Sequence, residues 1–330
     1  MKKRQLGSNG PMVGEIGLGC WSFAGAYGPT DEKESHRTLS KALEMGVDFL
    51  DTANVYGAGV SEQVIGSFIK QNPGRFTIAT KASIRREPET NQRVFDNSPE
   101  HLRAELEKSL GRLGVEHVDL YYIHRREQAR PIEDVVDTLM KFKEEGKIGG
   151  IGFSEISPAS LRRAHAVHPV AAVQSEYSLW TRQADLGMVR ACADLGVAFV
   201  PFSPLGRGMF AARLPELDKF EPSDFRKNNP RFLEPNFSKN VAALTPFREF
   251  AAEKGLSPSQ LALSWVLHRG EHLIPIPGTR TPEHLEEDGS ASDVELSASD
   301  LARIEKILPC GFAHGDRYSE AQWPGAERYC

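Results

Sequence analysis

The sequence predicts a (β/α)8 barrel, and three observations carry that expectation. Short apolar segments alternate with longer segments of helical period along the chain, as they do where parallel strands are joined by crossover helices. Eight such segments can be marked, which favours closure into a barrel. The rival, an open doubly wound sheet, calls for a glycine fingerprint between its first strand and a helix. Gly17-Leu18-Gly19-Cys20-Trp21-Ser22 offers only G-x-G and runs into a Gly-rich loop.

The chain of 330 residues exceeds the usual domain of roughly 150, but α/β barrels pass about 250 as one domain. Residues 1–330 are therefore read as one domain. Strands are expected at 16–20, 48–51, 76–80, 118–123, 150–154, 171–174, 197–201 and 272–276. Before them, residues 1–15 with Ser8-Asn9-Gly10 at the middle suit a hairpin plugging the barrel's N-terminal end. Helices are announced by Ser98-Pro99, Ser157-Pro158 and Ser257-Pro258, each a serine cap before proline at the first helical position. Gly46, Gly114, Gly146 and Gly196 sit where C-terminal glycines close helices. Leu102, Leu106, Leu110 and Leu113 form one stripe that should face the sheet. Residues 205–240 are proline-rich without sustained period and read as a long loop at the mouth. The tail, 309–330, mixes aromatics, glycine and charge, and either folds over the mouth or frays. Tyr177 and Trp180 read as rim core residues rather than substrate contacts.

With 40% hydrophobic and 26% charged residues, the chain can bury a full core. A net charge of -5 and no dense Lys/Arg face argue against nucleic acid. The basic start Met1-Lys2-Lys3-Arg4 has no apolar run behind it, and no 18 apolar residues run together, so a cytoplasmic protein without membrane contact is expected. Cys20, Cys192, Cys310 and Cys330 lack metal-site spacing and read as reduced, mostly structural thiols. No metal is expected, and the oligomeric state is left open, a monomer included.

In a barrel, catalytic groups belong at the C-terminal ends of strands. Asp51, Lys81 and His124 end the second, third and fourth strands, and Tyr56 follows Asp51 by five residues in "FLDTANVYG". Each alone has an ordinary explanation: a helix cap, a solvated strand end, a core histidine, a turn aromatic. Together they place a carboxylate, an ammonium, an imidazole and a phenol at one mouth. A phenol with a pKa of about 10 needs on the order of 4 kcal/mol of phenolate stabilisation to act near neutrality. Lys81 supplies a positive charge, Asp51 holds and orients it, and His124 orients a carbonyl toward the phenol.

"GLGCW", "DTANVYG", "TK", "YYIH", "GFSE", "VQSEYSL", "PFSPLGRG" and "IPIPGTR" follow one another in the order and spacing of the aldo-keto reductases, a family this chain resembles over nearly its whole length. The resemblance implies NADPH as hydride donor to an aldehyde or ketone, with Asp51, Tyr56, Lys81 and His124 as catalytic tetrad. It further implies that Ser154 and Gln174 hold the nicotinamide carboxamide with Phe202 stacked on the ring, and that Ser203, Leu205 and Arg207 line the pyrophosphate. Gly278, Thr279, Arg280, His284, Glu287 and Asp288 would receive the adenosine end, Arg280 taking the 2′-phosphate. Trp21, counted with the cofactor cleft, would also wall the substrate. Departures are Glu155 and Asp288 where Asn is common, Phe202 for Tyr and His284 for Arg. An unpaired Glu155 beside an anionic cofactor is unfavourable, so pairing with Arg125 or Arg126 is expected. Two other readings compete: a cofactor-holding auxiliary or redox-sensing subunit with little turnover, and a metal-dependent barrel hydrolase. Apart from His124 and Asp51, the second lacks its ligands.

Overall fold

The computed structural model describes residues 1–222 and 224–329. The expectation for Cys330 lies outside the described residues. Eleven strands are described: β1 (Lys3–Gln5), β2 (Met12–Gly14), β3 (Leu18–Gly19), β4 (Phe49–Asp51), β5 (Thr77–Ala82), β6 (Ile84–Arg86), β7 (Arg93–Phe95), β8 (Val118–Ile123), β9 (Ile148–Ser154), β10 (Ala172–Glu176) and β11 (Ala198–Phe202). Seven form one parallel sheet in the order β11-β10-β9-β8-β5-β4-β3.

The eighth expected strand, 272–276, is not a regular strand. It touches both edges of the sheet through single bridges, Phe199 to Leu273, Phe202 to Ile276 and Gly19 to Gly278. Toward β11 the N–H groups of Ile274 and Ile276 donate to Phe199 and Pro201 at 2.9 and 3.0 Å. Toward β3, Gly17 and Gly19 donate to the carbonyls of Pro275 and Pro277. Proline returns no N–H, so only half of that ladder forms. The barrel is closed, with a thin seam.

The surrounding helices are α1 (Glu32–Met45), α2 (Val60–Ile69), α3 (Pro99–Leu113), α4 (Ile132–Glu144), α5 (Pro158–Val167), α6 (Met188–Leu195), α7 (Asn236–Glu253), α8 (Pro258–Leu267), α9 (Pro282–Gly289) and α10 (Ala298–Ile307). All three Ser-Pro caps hold: Ser98, Ser157 and Ser257 accept from His101, Ser160 and Gln260 N–H. Gly46, Gly114 and Gly196 close α1, α3 and α6 in the left-handed conformation, and the leucine stripe of α3 is buried. The N-terminal hairpin β1-β2 is antiparallel, and Leu6 and Val13 reach the interior cluster with Phe49, Leu120 and Ala198. Among the described residues no helix is long and apolar enough to cross a membrane.

Strand parity positions the site. Phe49, Ala79, Leu120, Ala172, Val200 and Ile276 fill the barrel interior. Side chains two residues apart share a face, so Asp51, Lys81, Tyr122, Gln174 and Phe202 point inward one layer higher. Tyr122 crosses that layer against Gly152, where a Cβ would lie 2.5 Å from its ring. The structure resolves both loop expectations, and for the tail it takes the first of the two alternatives. Residues 205–240 contain four short 3-10 turns and the start of α7 at Asn236. The tail does not fray: Arg317 and Tyr318 are buried and Glu327 N–H donates to the Glu155 carbonyl.

Candidate active site

A cavity of about 1020 Å³ opens at the C-terminal mouth of the barrel, and every site residue expected from the sequence lines it except Lys81. Lys81 is fully buried directly beneath. Its ammonium donates to Asp51 Oδ1, to the Thr52 carbonyl at 2.7 Å and, at 3.5 Å, to Tyr56 Oη. Three donors meet three acceptors. The second Asp51 oxygen accepts from Gln174 Nε2 at 2.7 Å, so Gln174 also steadies the ion pair.

The Tyr56 turn is held from both sides. Asn54 N–H donates to the Lys81 carbonyl at 3.1 Å and Asn54 Nδ2 to Glu105 on α3 at 2.6 Å. Thr52 donates to Ser61, which donates to the Cys20 carbonyl, each at 2.8 Å. The turn residues are turn formers, and the turn's product is a fixed phenol. Trp21 stacks beside the Tyr56 ring at 5.8 Å, and His124 meets it edge-on at 5.9 Å.

Burial pulls the Lys81 pKa down, but Asp51 and Tyr56 carry it above its ordinary value. The ammonium therefore persists. For Tyr56 the balance differs from the sequence expectation. Lys81 draws the phenol pKa down, yet burial outweighs it and the net shift is upward. Burial first, then the charges of Arg125 and Lys81, hold His124 well below the usual imidazole value. His124 is neutral near pH 7, and its Nδ1 is buried without a partner.

The anionic groups of a dinucleotide need free donors. Arg280 gives Nη1 to the carbonyls of Tyr27 and Gly28 at 2.9 and 3.3 Å, and among the described residues no carboxylate pairs with it. Ser154, Gln174, half-buried Phe202, Ser203 and Leu205 follow one another around the wall toward Gly278 and Thr279. This donor set fits NADPH. Arg207 lines the same wall, but its guanidinium is committed to Glu176 at 2.7 Å.

Asp288 lines the cavity with His284 and Glu287, buried, and among the described residues no cation pairs with it. Burial and then Glu287 raise its pKa well above the ordinary carboxyl value. Below the unfolded pKa both states are protonated. As pH rises above it, the unfolded chain ionises first, and the folded state loses stability. Asp288→Asn is expected to raise Tm at pH 7–8 and to melt with the parent near pH 3, by paired thermal scans. Equal Tm at both pH values would contradict a buried carboxyl out of water.

Glu155 corrects a further expectation. Neither Arg125 nor Arg126 forms its ion pair: Arg317 of the tail binds the carboxylate with both terminal nitrogens, at 3.2 and 2.7 Å. Arg125 instead bonds Ser154 and the His124 carbonyl, and Arg126 pairs with Glu327 at 2.6 Å. Glu155 is fully buried with φ 58°. That left-handed conformation suits Asn better than Glu, and the bonds from Arg317 and from Glu176 N–H hold it. Sequence reading also missed Tyr318 and Gln322 of the tail and Arg86 and Arg93 of the β6-β7 hairpin, all on the cavity wall. Tail and hairpin lie outside the strand-helix period. The hairpin's one signal is that Ile84 and Val94-Phe95 flank a polar stretch with the turn formers Pro88 and Asn91. Tyr177 and Trp180 are core, packed on Trp265 and on Phe210 and Phe232.

A closed barrel with a fixed phenol, a buried ammonium and a dinucleotide-sized cleft defines a carbonyl oxidoreductase. Residues 15–309 match the aldo/keto reductase family, and the chain belongs to it. It is 41% identical over 316 residues to "Probable aldo-keto reductase 1" of Glycine max, covering 95% of this chain and 91% of that one. It is 37% identical over 328 residues to "Aldo-keto reductase yakc [NADP(+)]" of Schizosaccharomyces pombe, covering 98% and 95%. The glycerol dehydrogenase AKR11B4 structure from Gluconobacter oxydans superimposes with a TM-score of 0.83 at 28% identity, covering 93% and 94%. As a member of this family the protein is an NADPH-dependent oxidoreductase that transfers hydride to carbonyl substrates.

Proposed function

We propose that the chain reduces aldehydes or ketones with Tyr56 as proton donor, Lys81 and Asp51 as its electrostatic support, and His124 as the group that orients the carbonyl. The observation that carries this reading is the line Asp51, Lys81, Tyr56, which ends at the cavity with 3.5 Å between Nζ and Oη. NADPH supplies the hydride when bound. Tyr56 gives its proton to the carbonyl oxygen as negative charge grows there. Neutral His124 donates a hydrogen bond to the same oxygen, which fixes the carbonyl without competing as the acid. Lys81 stabilises the phenolate left behind, and Asp51 keeps the ammonium charged and aimed.

In this reading Ser154 and Gln174 hold the carboxamide, Phe202 stacks on the ring, and Ser203 and Leu205 present the pyrophosphate wall. Arg207 acts through Glu176 rather than as a free cation. Gly278, Thr279, His284, Glu287 and Asp288 surround the adenosine, and Arg280 takes the 2′-phosphate. The protein works as one domain, in the cytoplasm, where free thiols such as Cys20, Cys192 and Cys310 are stable.

The test compares NADPH with NADH across a panel of aldehydes and ketones. A guanidinium facing a phosphate is worth about 1.5–3 kcal/mol. Arg280→Ala is therefore expected to weaken NADPH binding roughly tenfold or more and NADH binding far less. Equal losses for the two cofactors would place the phosphate elsewhere.

A further inference from the structure

The cavity wall near Tyr56 and His124 is unusually basic, and its charges are unmatched. Four of the cations on the cavity have acidic partners: Arg207 has Glu176, Arg226 has Asp224, and Arg213 and Lys219 share Glu216, while Arg280 is left for the cofactor. Arg86, Arg93 and Arg125 have none among the described residues. Arg86 donates to the Asn91 carbonyl at 2.9 Å, Arg93 lies over the Phe95 ring, and Arg125 bonds Ser154 and the His124 carbonyl. Arg125 feels Glu155, but that carboxylate is occupied by Arg317.

Acids were available to this hairpin. Arg85, one residue from Arg86, pairs with both Glu87 and Asp96. Arg86 and Arg93 stand directly opposite each other across the β6-β7 pair, an arrangement that destabilises a hairpin when both residues carry the same charge. Arg86 and Arg93 are both solvent-exposed at the cavity rim. Partial desolvation there, then the charges of Arg125 and Arg86, push the Arg93 pKa down to about 10. A fold that keeps such a pairing on a cavity wall gains from an anion that enters between the two charges. The cofactor phosphates are not that anion. Arg280 follows the seam segment between β11 and β3, whereas Arg86, Arg93 and Arg125 follow β5 and β8, on the far side of the ring of strands.

We propose that the substrates of this enzyme are carbonyl compounds that also carry an anionic oxygen group, a carboxylate or a phosphate, bound by Arg93 and Arg86 with Arg125 beside the reacting centre. The proposal rests on the carbonyl-reductase reading and adds the substrate class. Hydride adds to the carbonyl carbon, the π pair moves to oxygen, and oxygen takes the Tyr56 proton. The cofactor is oxidised, the carbonyl becomes an alcohol, and the anionic group is unchanged. Solvent returns the proton to the phenol.

The test uses matched pairs with NADPH: 4-carboxybenzaldehyde against methyl 4-formylbenzoate, and glycolaldehyde phosphate against glycolaldehyde. In the parent enzyme the anionic member of at least one pair is expected to have a kcat/KM about tenfold or more above its neutral partner; the pair that shows it identifies the group. Arg93→Gln and Arg86→Gln should each cut that ratio about tenfold, mainly through KM, and raising salt from ~20 to ~500 mM should erode it. The Tm of Arg93→Gln should equal or exceed the parent's, because a repulsion is removed. Ratios at or below one in both pairs overturn the proposal, as do ratios that survive both substitutions. A lowered Tm with equal losses for anionic and neutral substrates gives Arg93 a structural role and also overturns it. If the parent oxidises NADPH with no member of either pair, the reductase reading itself fails, and the substrate proposal fails with it.

Discussion

Tyr56→Phe is expected to lower kcat for carbonyl reduction by about 10²- to 10⁴-fold, the span for loss of a positioned general acid, while NADPH still binds. The ring that stacks beside Trp21 and meets His124 edge-on is retained, so the cavity keeps its shape. Only the hydroxyl 3.5 Å from the Lys81 ammonium is removed. The parent's pH-rate profile gives an independent check. An acid must be protonated to act, so activity is present below the phenol pKa and lost as pH rises through it. Burial holds that pKa above its ordinary value of about 10, which puts the alkaline limb above that value. Burial and the charges of Arg125 and Lys81 hold His124 well below its ordinary value of about 6.5, so His124 adds no limb between pH 7 and 9. Near-parental turnover by Tyr56→Phe in single-turnover assays would remove Tyr56 from the chemistry.

The parts of the fold legible in the sequence were those with a local physical cause. Ser-Pro caps, left-handed glycines and the leucine stripe of α3 each act within a turn or two of themselves, and the strand-end rule placed Asp51, Lys81 and His124 at one mouth. The seam at 272–276 was apolar enough to read as a strand, but Pro275 and Pro277 determined its hydrogen bonding. Glu155 was harder. Its partner lies 162 residues away in the tail, and nothing in "GDRYSE" announces a buried guanidinium. Adjacent strands suggested Arg125 and Arg126 instead, both of which face other acceptors. Parity could not show that Gln174 supports Asp51, nor that burial outweighs the ammonium at Tyr56. Both are sums over three-dimensional neighbours.

Lys81→Met should reduce turnover by about 10²-fold or more and destabilise the protein, and the two losses have separable causes. The ammonium donates to Asp51, Thr52 and Tyr56 from a position without solvent. Removing one partner of a buried ion pair costs about 3–5 kcal/mol, because the other charge stays uncompensated. Gln174 still donates to Asp51, but a neutral amide does not replace a cation. The phenol loses the larger of the two charges that draw its pKa down, Arg125 being the other, and keeps the burial that raises it. The alkaline limb should therefore move to higher pH as the rate falls, since a weaker acid gives up its proton less readily. Asp51→Asn combined with Lys81→Met discriminates the causes. With neither member of the pair charged, the double variant should recover much of the lost Tm in thermal melts, while kcat stays low because the adjacent ammonium that stabilises the phenolate is gone. Recovery of rate together with stability would mean that Lys81 serves the fold alone. An alkaline limb that stays in place in the single variant would mean that Lys81 does not tune Tyr56.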